Sequence, residues 1–226
     1  KMYKDLLGMP DDTLLREYDN PFPDKNKLSL IVPETTTKFT YRSDEMFQRI
    51  AEICVEVTDK VPGNSAVFFP SYALRDKVAK YFKMFSKKTN FFEAPKMSKS
   101  EKLELLEKFK GYKASGAVLL GVASGSFGEG IDLPGDLLKS VIVVGLPLSK
   151  PDLETKELIK YYDGKFDAGW DYGYLFPAFN KCLQSAGRCI RSETDKGVVV
   201  FLDVRFTWPN YFKCFPKNMP LKISRD

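Results

Sequence analysis

Five short apolar runs punctuate the chain: KLSLIV (27–32), SAVFFP (65–70), AVLLGVA (117–123), SVIVVGL (140–146) and GVVVFLD (197–203). Each is nearly continuous rather than alternating, the pattern of a strand covered on both faces. Between them the spacing becomes helical. SDEMFQRIAEICVEVTD (43–59) puts Phe47, Ile50, Ala51, Cys54 and Val55 on one face behind Ser43 as N-cap. YALRDKVAKYFKMF (72–85) is a second helical pattern, and SKSEKLELLEKFKG (98–111) opens on a Ser98–Glu101 capping box and closes on Gly111. FPAFNKCLQSAGRCIRS (176–192) carries Pro177 near its first turn, where the missing N–H breaks no helical bond. Strands alternating with helices predict an α/β fold, a parallel sheet with helices on both faces. The first 25 residues, running into the turn-forming DNPFPDKN (19–26), read as a lead-in segment to a domain at 26–226.

Composition narrows the field. The 226 residues are 43% hydrophobic and 29% charged, enough to bury a real core. No apolar run approaches the roughly 20 residues of a bilayer span, and KMYKDLLGMPDD lacks the apolar centre of a signal peptide. The chain therefore reads as soluble and intracellular. A net charge of +5 permits a nucleic-acid partner without requiring one, since stretches such as KYFKMFSKK (80–88) also suit a solvated face. There is no histidine, which excludes Ser–His and Cys–His nucleophile systems and imidazole metal sites. Cys54, Cys182, Cys189 and Cys214 form no C-x-x-C pair, so no metal site is expected.

Four stretches remain as candidate chemistry. In QSAGRCIRS (184–192), a continuous helix would project Gln184, Arg188 and Arg191 within about 60° of one another. Gly187 would allow close approach to the backbone at about 1 kcal/mol of helix propensity. Forked guanidiniums suit phosphate oxygens, and an exposed face paired with Glu193 and Asp195 is the alternative. GVASGSFGEGIDLPG (121–135) places five glycines and two serines after a strand, where backbone N–H groups can meet phosphate. It is not a Walker A loop, because no G-K-[ST] follows. Its acids Glu129 and Asp132 suit either a ribose hydroxyl or a cap. NSAVFFPSYALRDKV (64–78) sets Ser71 and Tyr72 at the same sheet edge, with a plain Ser71 N-cap as the simpler reading. YYDGKFDAGWDYGYLF (161–176) packs seven aromatics into sixteen residues, for base stacking or for a partner domain. Asp44–Glu45 begins a helix rather than ending a strand, which rules out a Walker B role.

In order, AVFFPSY, GSFGEGIDLPG, QSAGRCIRS and GVVVFLDVRF resemble the second motor domain of XPD-type helicases, within superfamily 2. LLGMPDDTLLREYDNPFPDKN (6–26) resembles the passage leading out of that family's first motor domain, so the likeness runs from about residue 2 to 215. The resemblance implies a RecA-like domain that works as half of a pair, with ATP and Mg²⁺ shared across a cleft with a first motor domain of the same polypeptide. On that implication Arg188 and Arg191 are catalytic arginine fingers. Gln184, Glu129, Gly130 and Asp132 contact nucleotide, and Ser71, Tyr72, Ser124, Ser126 and Phe127 lie toward DNA. The family's 4Fe–4S cluster belongs to the first motor domain, and no cysteine spacing here matches it. The implied whole is a 5′-to-3′ DNA helicase on single-stranded DNA, in DNA repair, with repair proteins as further partners. Its compartment would be the cytoplasm of a prokaryote or the nucleus of a eukaryote. A non-catalytic RecA-like module and a superfamily 2 ATPase acting on RNA are the alternatives.

Overall fold

The computed structural model describes residues 4, 6–16, 18, 21–130 and 137–224, with Glu129 and Gly130 described as backbone only. Among the described residues, seven strands form one sheet in the order β3-β4-β2-β5-β6-β1-β7. They are β1 (Lys27–Val32), β2 (Ser65–Phe69), β3 (Thr89–Phe92), β4 (Ala117–Val122), β5 (Ser140–Val144), β6 (Gly197–Leu202) and β7 (Leu221–Ile223). Every pairing is parallel, as in Leu30↔Val200 and Phe68↔Val143.

The sheet is covered on both sides, as its unbroken apolar strands predicted. Ala66 and Phe68 of β2 face one layer, together with α3 (Lys99–Lys110) and α5 (Phe176–Ala186). Their neighbours Val67 and Phe69 face the other, against α1 (Asp44–Lys60) and α2 (Tyr72–Phe85). Phe68 and Phe69 are both fully buried, and each such side chain contributes about 1.5–3 kcal/mol relative to exposure. The helix starts follow the expected chemistry. Ser43 accepts from the Met46 amide, and Ser98 and Glu101 close their capping box reciprocally.

Three features differ from the sequence pattern. Edge strands β3 and β7 are short and half-exposed, so they carry no apolar run to betray them. Helix α4 (Leu153–Phe166) has no buried residue, and its Tyr162 and Phe166 instead pack against Tyr172 of the following π-helical turn. The helix expected to run to residue 192 stops at Ala186, continues as a tight 3₁₀ turn over Gly187–Cys189, and turns extended at Ile190. Contacts with the residues that follow accompany that exit. Buried Asp195 accepts the backbone N–H groups of Arg191 and Ser192, both at 2.9 Å. Cys189 lies so close to Gly197 that an added Cβ would come within 2.3 Å of its sulfur.

Candidate functional site

A groove of about 500 Å³ opens where the strands end at their carboxyl edge. Its walls come from separate segments: Thr37, Lys38, Phe39 and Arg42 after β1, Ser71 after β2, Ser124 after β4, and Ser149 after β5. Lys181 of α5 and Arg205 after β6 complete it. Four cations and four hydroxyls thus line the groove, and among the described residues no acid lines it. The fully buried carboxylate of Asp203 organises one end. It accepts from the Thr37 amide (2.8 Å) and from Nε and Nη2 of Arg205 (2.9 and 2.8 Å), while Arg205 also donates to the Thr37 hydroxyl (2.6 Å). Gly145, at φ +65°, is needed here, because a Cβ would fall 2.1 Å from the Thr37 oxygen. Burial, and then the charge of Arg205, push the pKa of the Arg42 guanidinium down. Positive charge crowded this way favours an incoming anion.

Exposed rings flank the groove. Phe39 is 81% exposed, Tyr41 60% and Trp208 41%. The Lys38 ammonium lies 5.5 Å from the Tyr41 ring and 6.0 Å from that of Trp208. Beyond Ser149, whose carbonyl accepts from the Tyr174 hydroxyl, Trp170 packs 4.6 Å from the Tyr174 ring and is 54% exposed.

The sequence-derived residues distribute unevenly around this groove. Ser71 both caps α2, accepting from Leu74 N–H at 3.3 Å, and lines the groove, so its two readings coexist. Ser124 is exposed and lines it as well. Tyr72 is turned away. Its ring lies 5.0 Å from the Arg75 guanidinium, and burial first, then Glu93, raise the pKa of its hydroxyl. Ser126 is half-buried in the π-helical turn Ser126–Gly130 and does not line the groove. Phe127, expected toward DNA, is corrected: it is fully buried in the core beneath the loop, where removal of an aromatic ring from water is favourable. Asp132 and the Glu129 side chain lie outside the described residues, and Gly130 closes the turn as backbone.

The glycines of this loop answer to a residue the sequence reading missed. Glu93, 1% exposed, accepts from Val122 N–H at 3.0 Å and Phe127 N–H at 3.4 Å. A Cβ on Gly121 or Gly125 would come within 2.9 or 2.5 Å of the Glu93 carboxylate, and one on Gly128 within 2.3 Å of the Ala123 carbonyl. The loop therefore wraps a buried carboxylate, which already uses two of its amides.

Arg188, 9% exposed, extends from the 3₁₀ turn and donates from Nε to the Gly128 carbonyl at 2.8 Å. Arg191 is not on the helix, which corrects the face expected for it. The bend nevertheless returns it to its partners, for Gln184, Gly187, Arg188 and Arg191 line one open hollow of about 510 Å³. Asp195 meets the Arg191 segment through backbone N–H groups. Two forked guanidiniums and an amide at one hollow suit the oxygens of a phosphate chain. Gly187 has an ordinary φ of −63°, and an added Cβ would find nothing within 4 Å. The fold itself does not require that glycine.

Among the described residues no group of three or more Cys, Asp or Glu could hold a metal ion. The four cysteines are unpaired, with Cys54, Cys182 and Cys189 buried, and burial pushes the Cys189 thiol up to about 12. These residues do not fit an iron–sulfur cluster. Nor is any described helix long and apolar enough to cross a membrane.

Comparison with known proteins gives a consistent set. The family described as helicase C-terminal domain matches residues 54–222. The ATP-dependent DNA helicase XPD of Sulfolobus acidocaldarius is 30% identical over 193 residues, covering 82% of this chain and 33% of that protein. The ATP-dependent DNA helicase DinG of Photobacterium profundum is 30% identical over 211 residues, covering 93% and 30% respectively. A solved apo structure of XPD superposes with a TM-score of 0.69 at 26% identity, over 88% of this chain and 40% of that one. The chain thus spans about a third of the length of the curated relatives it matches.

Proposed function

Because the chain belongs to the helicase C-terminal domain family, with a RecA-like sheet resembling that of XPD, we propose that it is the C-terminal motor half of an ATP-dependent DNA helicase. In this reading the arginine turn faces a nucleotide, and the groove holds single-stranded DNA. Residues 1–25 lead in from a first motor domain of the same polypeptide, which brings the phosphate-binding lysine and the carboxylates for Mg²⁺. A 4Fe–4S cluster, where the protein has one, belongs to that part. Movement from 5′ to 3′, a place in DNA repair, repair proteins as partners and an intracellular location rest on the family likeness alone.

The observation that carries the nucleic-acid half is the groove itself. A stripe of Lys38, Arg42, Lys181 and Arg205, with no acid among the described lining residues, would track phosphates, and exposed Phe39, Tyr41, Trp208 and Trp170 would offer faces to unpaired bases. Charged grooves bordered by stacking rings are how sequence-tolerant single-strand binders work. On the nucleotide side, Arg188 and Arg191 would neutralise charge developing on the γ-phosphoryl group, with Gln184 beside them. Gly128 links the halves, since its carbonyl holds Arg188 while the same loop presents Ser124 to the groove.

ATP hydrolysis tests the reading, measured with and without single-stranded DNA for this chain alone and then continuous with its first motor domain. We expect an inert chain and a DNA-stimulated longer protein. Turnover by the chain alone would overturn the half-site reading. Equal stimulation by RNA would replace DNA as the substrate.

A further inference from the structure

We propose that a lysine-rimmed hollow at the amino edge of the sheet, opposite the cationic groove, docks an acidic, aliphatic peptide segment of a partner protein. The hollow, about 600 Å³, spans the heads of four neighbouring strands, β5, β6, β1 and β7. Lys139 precedes β5, Lys196 precedes β6, Lys25 and Lys27 stand at the start of β1, and Lys222 lies in β7. Strand register makes them neighbours, for Lys27 is level with Gly197, and Ser140 with Val198. Asp24 is the single acid among the described residues that line it.

Leu28, Val61, Pro62 and Pro220 line the same hollow. Leu28 is exposed although its strand lies between β6 and β7. Leu30, on the same face of β1, packs with the layer of α1 and α2, but α1 ends at Lys60 and Leu28 stays in water. The carbonyls of Val61 and Gly63, at the negative end of α1, accept from the Lys88 ammonium at 2.7 and 2.8 Å and so do not oppose an anion. These features separate the hollow from the groove on the other edge. There, arginine forks and flanking rings suit phosphates and bases. Here, no arginine and no aromatic ring is among the described lining residues, and the cations surround aliphatic side chains. A phosphate backbone gains nothing from such a floor, whereas carboxylates alternating with aliphatic side chains match both parts of it. Three strand spacings, about 14 Å, accommodate about four residues of extended chain.

Fluorescence anisotropy of the complete polypeptide with a labelled hexapeptide of alternating glutamate and valine tests the assignment. We expect saturable binding that weakens as salt rises. Reversing two exposed lysines together, Lys196→Glu with Lys222→Glu, should weaken the peptide about tenfold. Melting temperature, DNA-stimulated ATPase and affinity for labelled oligothymidylate should stay as they were. Leu28→Ser should weaken the peptide about threefold. Failure of the hexapeptide to bind overturns the proposal, as does undiminished binding in both variants. Equally tight binding of a peptide with serine in place of valine also overturns it, since charge alone would then be read. If the double reversal weakens oligothymidylate and spares the peptide, the hollow belongs to nucleic acid and the peptide assignment has failed.

Discussion

The arginine turn and the cationic groove are assembled in opposite ways. Gln184, Gly187, Arg188 and Arg191 come from one stretch of eight residues. The groove draws Thr37, Ser71, Ser124, Ser149 and Arg205 from the ends of five different strands, and Lys181 from a helix. The turn is held by the nearby Asp195 carboxylate and by one distant contact, the Gly128 carbonyl of the loop after β4. The groove exists only because a parallel sheet brings all its carboxyl ends to one edge. Chemistry that must meet one small phosphate chain can be local, whereas a surface that must follow a polymer is necessarily spread over the fold.

The comparison can be broken by variants that respect or ignore that division. Arg191→Ala in the complete protein should lower DNA-stimulated ATPase about a thousandfold while leaving single-strand affinity nearly unchanged. Arg188→Ala should do the same, with an added loss of stability of about 1–3 kcal/mol because its buried hydrogen bond to Gly128 goes with it. Steady-state hydrolysis beside fluorescence anisotropy with labelled DNA checks both, and near-normal turnover in Arg191→Ala would remove the catalytic role. Glu93→Ala is predicted to cost about 1–3 kcal/mol in urea unfolding, by orphaning the Val122 and Phe127 amides. Since its loop serves both sites, hydrolysis and DNA binding should fall together, unlike in any arginine variant. Phe39→Ala should weaken single-strand binding about tenfold with no change in melting temperature, because the ring is 81% exposed. Unaltered binding would mean that bases do not stack there.

The smallest effect is expected away from both sites. Hydrogen bonds from the Ser98 hydroxyl and then the Ser98 amide hold the Glu101 carboxyl below its ordinary value of 4.5. Its folded pKa lies below its unfolded one, so its contribution is complete above pH 4.5 and disappears as pH falls through the lowered value. Thermal melts across acid pH should therefore converge for the original and Glu101→Gln proteins at the acid end and separate slightly above it.

Much of this architecture could be read before any coordinates. Unbroken apolar runs located β1, β2, β4, β5 and β6 to within a residue or two, since a strand buried on both faces has no polar position to hide it. Ser43, Ser71 and Ser98 marked helix starts because capping is a contact between near neighbours in sequence. Helix α4 and the edge strands escaped notice, because elements that bury little carry little pattern.

At the sites the division is sharper. Residue order alone singled out Gln184, Arg188 and Arg191 as companions, together with the glycine between them, and also the glycine-rich loop after a strand. It misjudged how they are carried: the helix ends early, Arg191 returns through a bend, and Phe127 turns inward. Only the tertiary structure placed Glu93 inside the loop, set Thr37 against Asp203, and joined Lys38, Arg42 and Lys181 in one groove. Local pattern is governed by backbone hydrogen bonding and by burial along a single element, and both leave a mark in neighbouring residues. A buried carboxylate finds its amides, and an arginine finds a hydroxyl, across 29 to 168 positions of sequence. Contacts of that range follow from how the sheet is ordered, and they leave no periodicity along the chain.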